Sequence, residues 1–146
     1  MARYLVVANQ TLGGEHLIAR IRERMAAEPS SFHIVVPATP LPGHATWKEG
    51  EATSVAQARL DRAIAKLREL GADVRGEVGD ANPLLAIEDA LRGESFDEII
   101  LSTLPPGPSR WLKLDLPNRV RERFAVAVTH LIGEAEAVTS DRSATG

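Results

Sequence analysis

The stretch Arg3–Asn9 reads RYLVVAN: short, rich in β-branched residues, and ending at a residue that favours turns. Its near-continuous apolar character is that of a strand covered on both faces, as in a parallel sheet, rather than of one with a wet side. Outward from it, Gly13 and Gly14 are followed by Leu17, Ile18, Ile21 and Met25 at helical spacing, with Pro29, Ser30 and Ser31 expected to close that helix. A second apolar run, Phe32–Val36, stops at Pro37. The Pro/Gly-rich stretch from Pro37 to Gly50 has no periodicity and reads as a long surface loop.

The next helix is expected from Ser54 to Leu70, with Ser54 as N-cap, Gly71 just past the end, and a stripe of Val55, Ala56, Leu60, Ala63, Ile64 and Leu67. Asp73–Val78 is a weaker, alternating strand that suits a sheet edge. Asn82 and Pro83 stand in the cap-then-proline order of a helix start, and Leu84, Ile87 and Leu91 carry that helix to Gly93. Asp97–Ser102 reads as a central strand, followed by the irregular TLPPGPSRWLKLDLP, a short helix over Pro117–Phe124 and a last strand over Ala125–Ile132. Residues 134–146 lack an apolar period and are expected to be a disordered tail.

Five strands alternating with four helices imply an α/β fold: one domain over residues 1–133, an open, mainly parallel five-stranded sheet with helices on both faces, in Rossmann-like or flavodoxin-like order. The length of 146 residues suits one domain and is too little for two comfortable ones.

Composition excludes several classes of function. A net charge of −3 argues against a nucleic-acid partner held by counterion release. With no cysteine there is no disulfide, thiolate metal site or Cys nucleophile. No apolar run approaches the ~20 residues of a membrane helix. The opening MARYLVVANQ lacks the basic start and cleavage site of a signal peptide, so a cytoplasmic protein is expected. The four histidines show no metal-ligand spacing, and no GxSxG marks a nucleophile elbow.

In an open parallel sheet the ligand sits beyond the carboxyl ends of the strands, where strand order reverses. That rule selects Asn9 and Gln10 after the first strand, Ser102 and Thr103 after the fourth, and Pro37 beside them.

Taken together, RYLVVAN at the start, the long second helix, VGDANP before the third helix and DEIILS before a Gly-containing loop resemble the universal stress protein family over residues 3–133. The resemblance implies that fold, a homodimer through the last strand (Ala125–Ile132), and membership of either an ATP-binding or a non-binding branch. The binding branch carries an Asp at the end of strand one and Gly-x2-Gly-x9-Gly-Ser/Thr after strand four. Here Asn9 stands at the Asp position, Gly107 is the only glycine between Gly93 and Gly133, and Leu114 and Asp115 stand where Gly-Ser/Thr would. A carboxylate capping those amides would repel the phosphate they should draw in. Gly76 and Gly79 do form a Gly-x2-Gly, but before the third helix, where chance is the better explanation.

Single residues carry paired readings. Asn9 suits a base or ribose, or simply closes the strand-to-helix turn. Gly13 and Gly14 fit a simple turn better than a phosphate loop, since no GxGxxG follows. Ser102 and Thr103 can meet a ligand or satisfy loop backbone. Gly107, between prolines, allows a tight rigid loop. Five basic residues (Arg110, Lys113, Arg119, Arg121, Arg123) against Asp115 and Glu122 make the 102–124 stretch locally +3. Arg110 and Lys113, with Ser109 nearby, are the candidates for an anionic partner, against the reading of a solvated helix face with ordinary charge pairs. Trp47 and Trp111 can stack on a base or anchor a loop.

The expectation is a non-catalytic regulatory protein of universal-stress type that does not bind ATP in the usual way. The alternative is a small-ligand sensor, for a nucleotide or an anion, whose site is Asn9, Gln10, Pro37, Ser102, Thr103, Gly107, Ser109 and Arg110. No metal and no cofactor is expected, with ATP or another nucleotide disfavoured.

Overall fold

The computed structural model describes residues 1–39, 50–106 and 109–133. The strands are β1 (Ala2–Val7), β2 (Ser30–Pro37), β3 (Asp73–Gly79), β4 (Glu98–Thr103) and β5 (Ala127–Ile132). Between them run the helices α1 (Glu15–Ala27), α2 (Glu51–Glu69), α3 (Pro83–Gly93), α4 (Arg110–Lys113) and α5 (Leu116–Arg123). The five strands form one sheet in the order β3-β2-β1-β4-β5, and all four neighbouring pairs are parallel. β3 lies at an edge, as its alternating, half-wet sequence indicates.

Strand residues alternate between two cores. Tyr4, Val6, Ile34 and Ile100 face α1 and α2, where Leu17, Ile21, Leu60 and Leu67 pack on them. Leu5, Val7, Val35, Ile99 and Leu101 face the other way, against Ile87 of α3, Trp111 of α4, and Leu116 and Val120 of α5. β1 and β4 are buried on both faces because helices cover both sides, which is why their sequences are apolar runs. Each such Leu or Ile contributes roughly 1.5–3 kcal/mol of transfer free energy.

Several boundaries differ from the sequence reading for local reasons. Ser30 and Ser31 belong to β2, and only Glu28 and Pro29 separate it from α1. α2 begins at Glu51 rather than at Ser54, because Gly50 takes a left-handed conformation (φ 92°) and its carbonyl already accepts from the Ser54 amide. Gly71, also at positive φ (93°), ends the same helix as expected. Asn82 caps α3 by accepting from the Leu84 amide, with Pro83 next to it. The segment read as irregular contains the short helix α4, capped by the Ser109 hydroxyl on the Leu112 amide. The last strand starts at Ala127, two residues later than expected.

Gly76 and Gly79 have a packing role. A Cβ on Gly76 would stand 2.6 Å from Leu60 Cδ1 and 2.7 Å from the Ile34 carbonyl oxygen. One on Gly79 would stand 2.8 Å from the Ala86 Cβ and 2.9 Å from Val35 Cγ1. The two glycines let α2 and α3 lie close against the β3 edge. The tail 134–146, the loop stretch 40–49 with Trp47, and Gly107 lie outside the described residues.

Candidate functional site

β1 has β2 on one side and β4 on the other, and the strand order reverses between β1 and β4. The chain leaving β1 rises into α1 on one face of the sheet, while the chain leaving β4 enters α4 and α5, which pack on the opposite face. The two exits diverge, and the cleft they leave is lined by Asn9, Gln10, Thr11, Thr39, Ser102, Thr103, Ser109, Arg110 and Trp111. It is narrow, about 40 Å³. It adjoins a wider groove of about 360 Å³ between the start of α3 and the α4–α5 corner, and Thr39, Arg110 and Trp111 line both.

Of the residues selected from sequence, six line the cleft: Asn9, Gln10, Ser102, Thr103, Ser109 and Arg110. Pro37 stands behind them, its carbonyl accepting from Asn9 Nδ2 at 2.7 Å. Gly107 lies outside the described residues.

Their polar atoms are unequally available. Asn9 is buried, and its Oδ1 accepts from Arg59 Nη1 at 2.6 Å, so both ends of the amide are engaged within the protein. The β1–α1 turn is closed instead by backbone, the Leu12 amide on the Asn9 carbonyl and the Gly14 amide on the Thr11 carbonyl. Ser109 caps α4. The Thr103 hydroxyl lies 2.8 Å from His130 Nε2 and 3.0 Å from the Leu104 carbonyl, to which it can give its single proton. With that proton on Leu104, His130 Nε2 is the donor to Thr103. Among the described residues, the side chains of Gln10 and Arg110 have no hydrogen-bond or ion-pair partner. They are the groups free to meet a ligand.

Ser102, only 1% exposed, is the centre of a cluster that the sequence did not reveal. Its Oγ lies 2.5 Å from Thr11 Oγ1 and 2.8 Å from His16 Nε2. The His16 ring is wedged against two glycines: a Cβ on Gly14 would come within 2.6 Å of it, and a Cβ on Gly133 would overlap it. Burial pushes the His16 imidazole below its ordinary 6.5, and burial assisted by the Arg121 charge does the same to His130. Both rings are therefore neutral at pH 7. Thr11 and His16 carry no sequence signal for this role, since only the packing of α1 on the sheet brings them to a residue some ninety positions away.

Asp115 does not cap α5 as its sequence suggests. It takes a left-handed conformation (φ 57°), makes no side-chain cap, and its carboxylate accepts from Asn118 Nδ2 at 3.0 Å. A carboxylate nonetheless stands at the start of that helix. Trp111 is buried in the core with its edge on the cleft, so it anchors the loop. Among the described residues there is no cluster of metal-ligating side chains, and no helix is long and apolar enough to cross a membrane. No protein-family model matches the chain, and a comparison with curated proteins returns no match.

Proposed function

We propose that this chain is a non-catalytic, ligand-sensing protein of universal-stress type, taking a small anion or nucleotide in the cleft between β1 and β4. The observation that carries the reading is the Arg110 guanidinium, unpartnered among the described residues, beside Gln10 at the strand-order switch point, over a floor of hydroxyls from Thr11, Ser102 and Thr103. An arginine fork recognises phosphate or carboxylate geometry, and a neutral floor leaves its charge for the ligand.

Binding rather than catalysis is favoured by the Ser102–His16 pair. No carboxylate bonds His16 among the described residues, so nothing sets its tautomer or stabilises an imidazolium. ATP held by its triphosphate is disfavoured by Asp115, whose carboxylate occupies the start of α5 where a phosphate would be drawn. The half-buried edge strand β5 supports a homodimer through that strand.

The test is to purify the protein natively, denature it, and identify released small molecules by mass spectrometry, alongside thermal-shift titrations with inorganic phosphate, AMP and ATP. A released anion, or saturable stabilisation by phosphate or AMP that Arg110→Ala removes, is the expected result. An empty protein that no anion stabilises overturns the sensor reading. Tight, magnesium-dependent stabilisation by ATP overturns the exclusion of the triphosphate.

A further inference from the structure

The groove beside the cleft is more selective than the cleft itself. Its apolar wall is Pro83, Leu84, Trp111, Leu114 and Leu116, and among the described residues its charged ones are Arg110 and Arg119. Among the described residues no aspartate or glutamate lines it, and neither arginine has an ion-pair partner. Arg92 and Arg123, by contrast, are paired, with Asp89 at 2.8 Å and with Glu88 at 3.1 Å. Leu114 is 54% exposed, so a large apolar side chain projects beside two unpaired guanidinium groups.

From this we infer that the groove binds an amphipathic organic anion, a flat or branched apolar body carrying one carboxylate, sulfonate or phosphate. The inference rests on the reading of the cleft above, because Arg110 serves both spaces. Size separates the two. The cleft, at about 40 Å³, has room for a compact group such as one phosphate of a larger ligand, whereas about 360 Å³ is within the range that ligand-sized bodies occupy. A bare inorganic anion would leave the apolar wall wet, and an uncharged hydrocarbon would leave two arginines desolvated without a counter-charge. Only a ligand with both characters satisfies the lining. The positive end of the α3 dipole, at Asn82–Leu84 on the rim, adds to the attraction for its charge.

The probe is 8-anilinonaphthalene-1-sulfonate, an aromatic ring system with one sulfonate, titrated into the intact chain and followed by its fluorescence. Three variants at exposed positions leave the fold undisturbed: Arg119→Ala and Leu114→Asp in the groove, and Arg92→Ala on the surface as control. One saturable site is expected, weakened about tenfold or more by each groove variant and unchanged by Arg92→Ala. Absence of saturable binding, equal affinity in either groove variant, or an equal loss in Arg92→Ala overturns the inference. The cleft is read separately with inorganic phosphate by thermal shift. Phosphate stabilisation without groove-dependent dye binding defeats the groove alone. Groove-dependent dye binding without phosphate stabilisation counts against the cleft as a phosphate site and leaves the groove standing.

Discussion

His16 Nε2 and Ser102 Oγ lie 2.8 Å apart beneath the cleft, joining α1 to the end of β4. Because burial lowers the imidazole's affinity for a proton, the unfolded chain binds protons more readily than the folded one between the depressed folded value and 6.5. The stabilisation is therefore fully present above about pH 6.5 and is lost as pH falls toward the folded value. His130 acts in the same direction. Urea midpoints measured between pH 5 and pH 8 should fall on the acid side, and His16→Gln should flatten that fall. A midpoint that rises on acidification would contradict the assignment.

Asn9 ties Pro37 and Arg59 through the two ends of one amide. Asn9→Asp keeps the acceptor for Arg59 but turns an oxygen toward the Pro37 carbonyl, leaving a buried acceptor without its donor. The expected cost is about 1–3 kcal/mol in chemical denaturation. Asn9→Asp, which places here the acid that the ATP-binding branch of the universal stress protein family carries, should not confer ATP binding, because Asp115 still stands at the start of α5. A stable Asn9→Asp protein that gains a saturable ATP response would refute both parts.

Gly79 faces Ala86 and Val35 at distances no side chain can share. Gly79→Ala should force α3 away from the sheet and lower stability by about 1–3 kcal/mol, the usual cost of overpacking. Thermal unfolding measures it, and an unchanged midpoint would show that α3 moves freely at this point.

β5, at the edge of the sheet among the described residues, ends in Ile132, half exposed at 50%. A dimer is expected in sedimentation at micromolar concentration, and Ile132→Lys should shift it toward monomer, because a charge on an edge strand opposes pairing with a second strand. A monomer at high micromolar concentration in the unsubstituted protein would defeat the prediction.

Much of the fold can be read directly from local sequence. Apolar runs such as RYLVVAN, the Asn82–Pro83 start and the Gly71 stop are local signals with local causes, and each marks an element found in the structure. Strand alternation placed Asn9, Gln10, Ser102 and Thr103 at the same end of the sheet, because a parallel sheet sends every strand's carboxyl end the same way. Local rules failed where a residue's conformation answers to distant neighbours. Ser54 looks like a cap but is bypassed by a left-handed Gly50, and Asp115 looks like a cap but bonds Asn118. Gly76 and Gly79 look accidental until Leu60 and Ala86 are seen against them.

The site divides along the same line. Residue type and strand order determined which residues gather at the switch point, since both depend only on the chain's own periodicity. Tertiary packing decided which of them are free. Asn9, Ser109 and Thr103 are engaged by Arg59, α4 and His130, whereas Gln10 and Arg110 line the cleft with no side-chain partner among the described residues. The His16–Ser102–Thr11 cluster and the groove between α3 and α5 exist only because elements far apart in sequence share one end of a sheet, and no local pattern encodes a contact made across that distance.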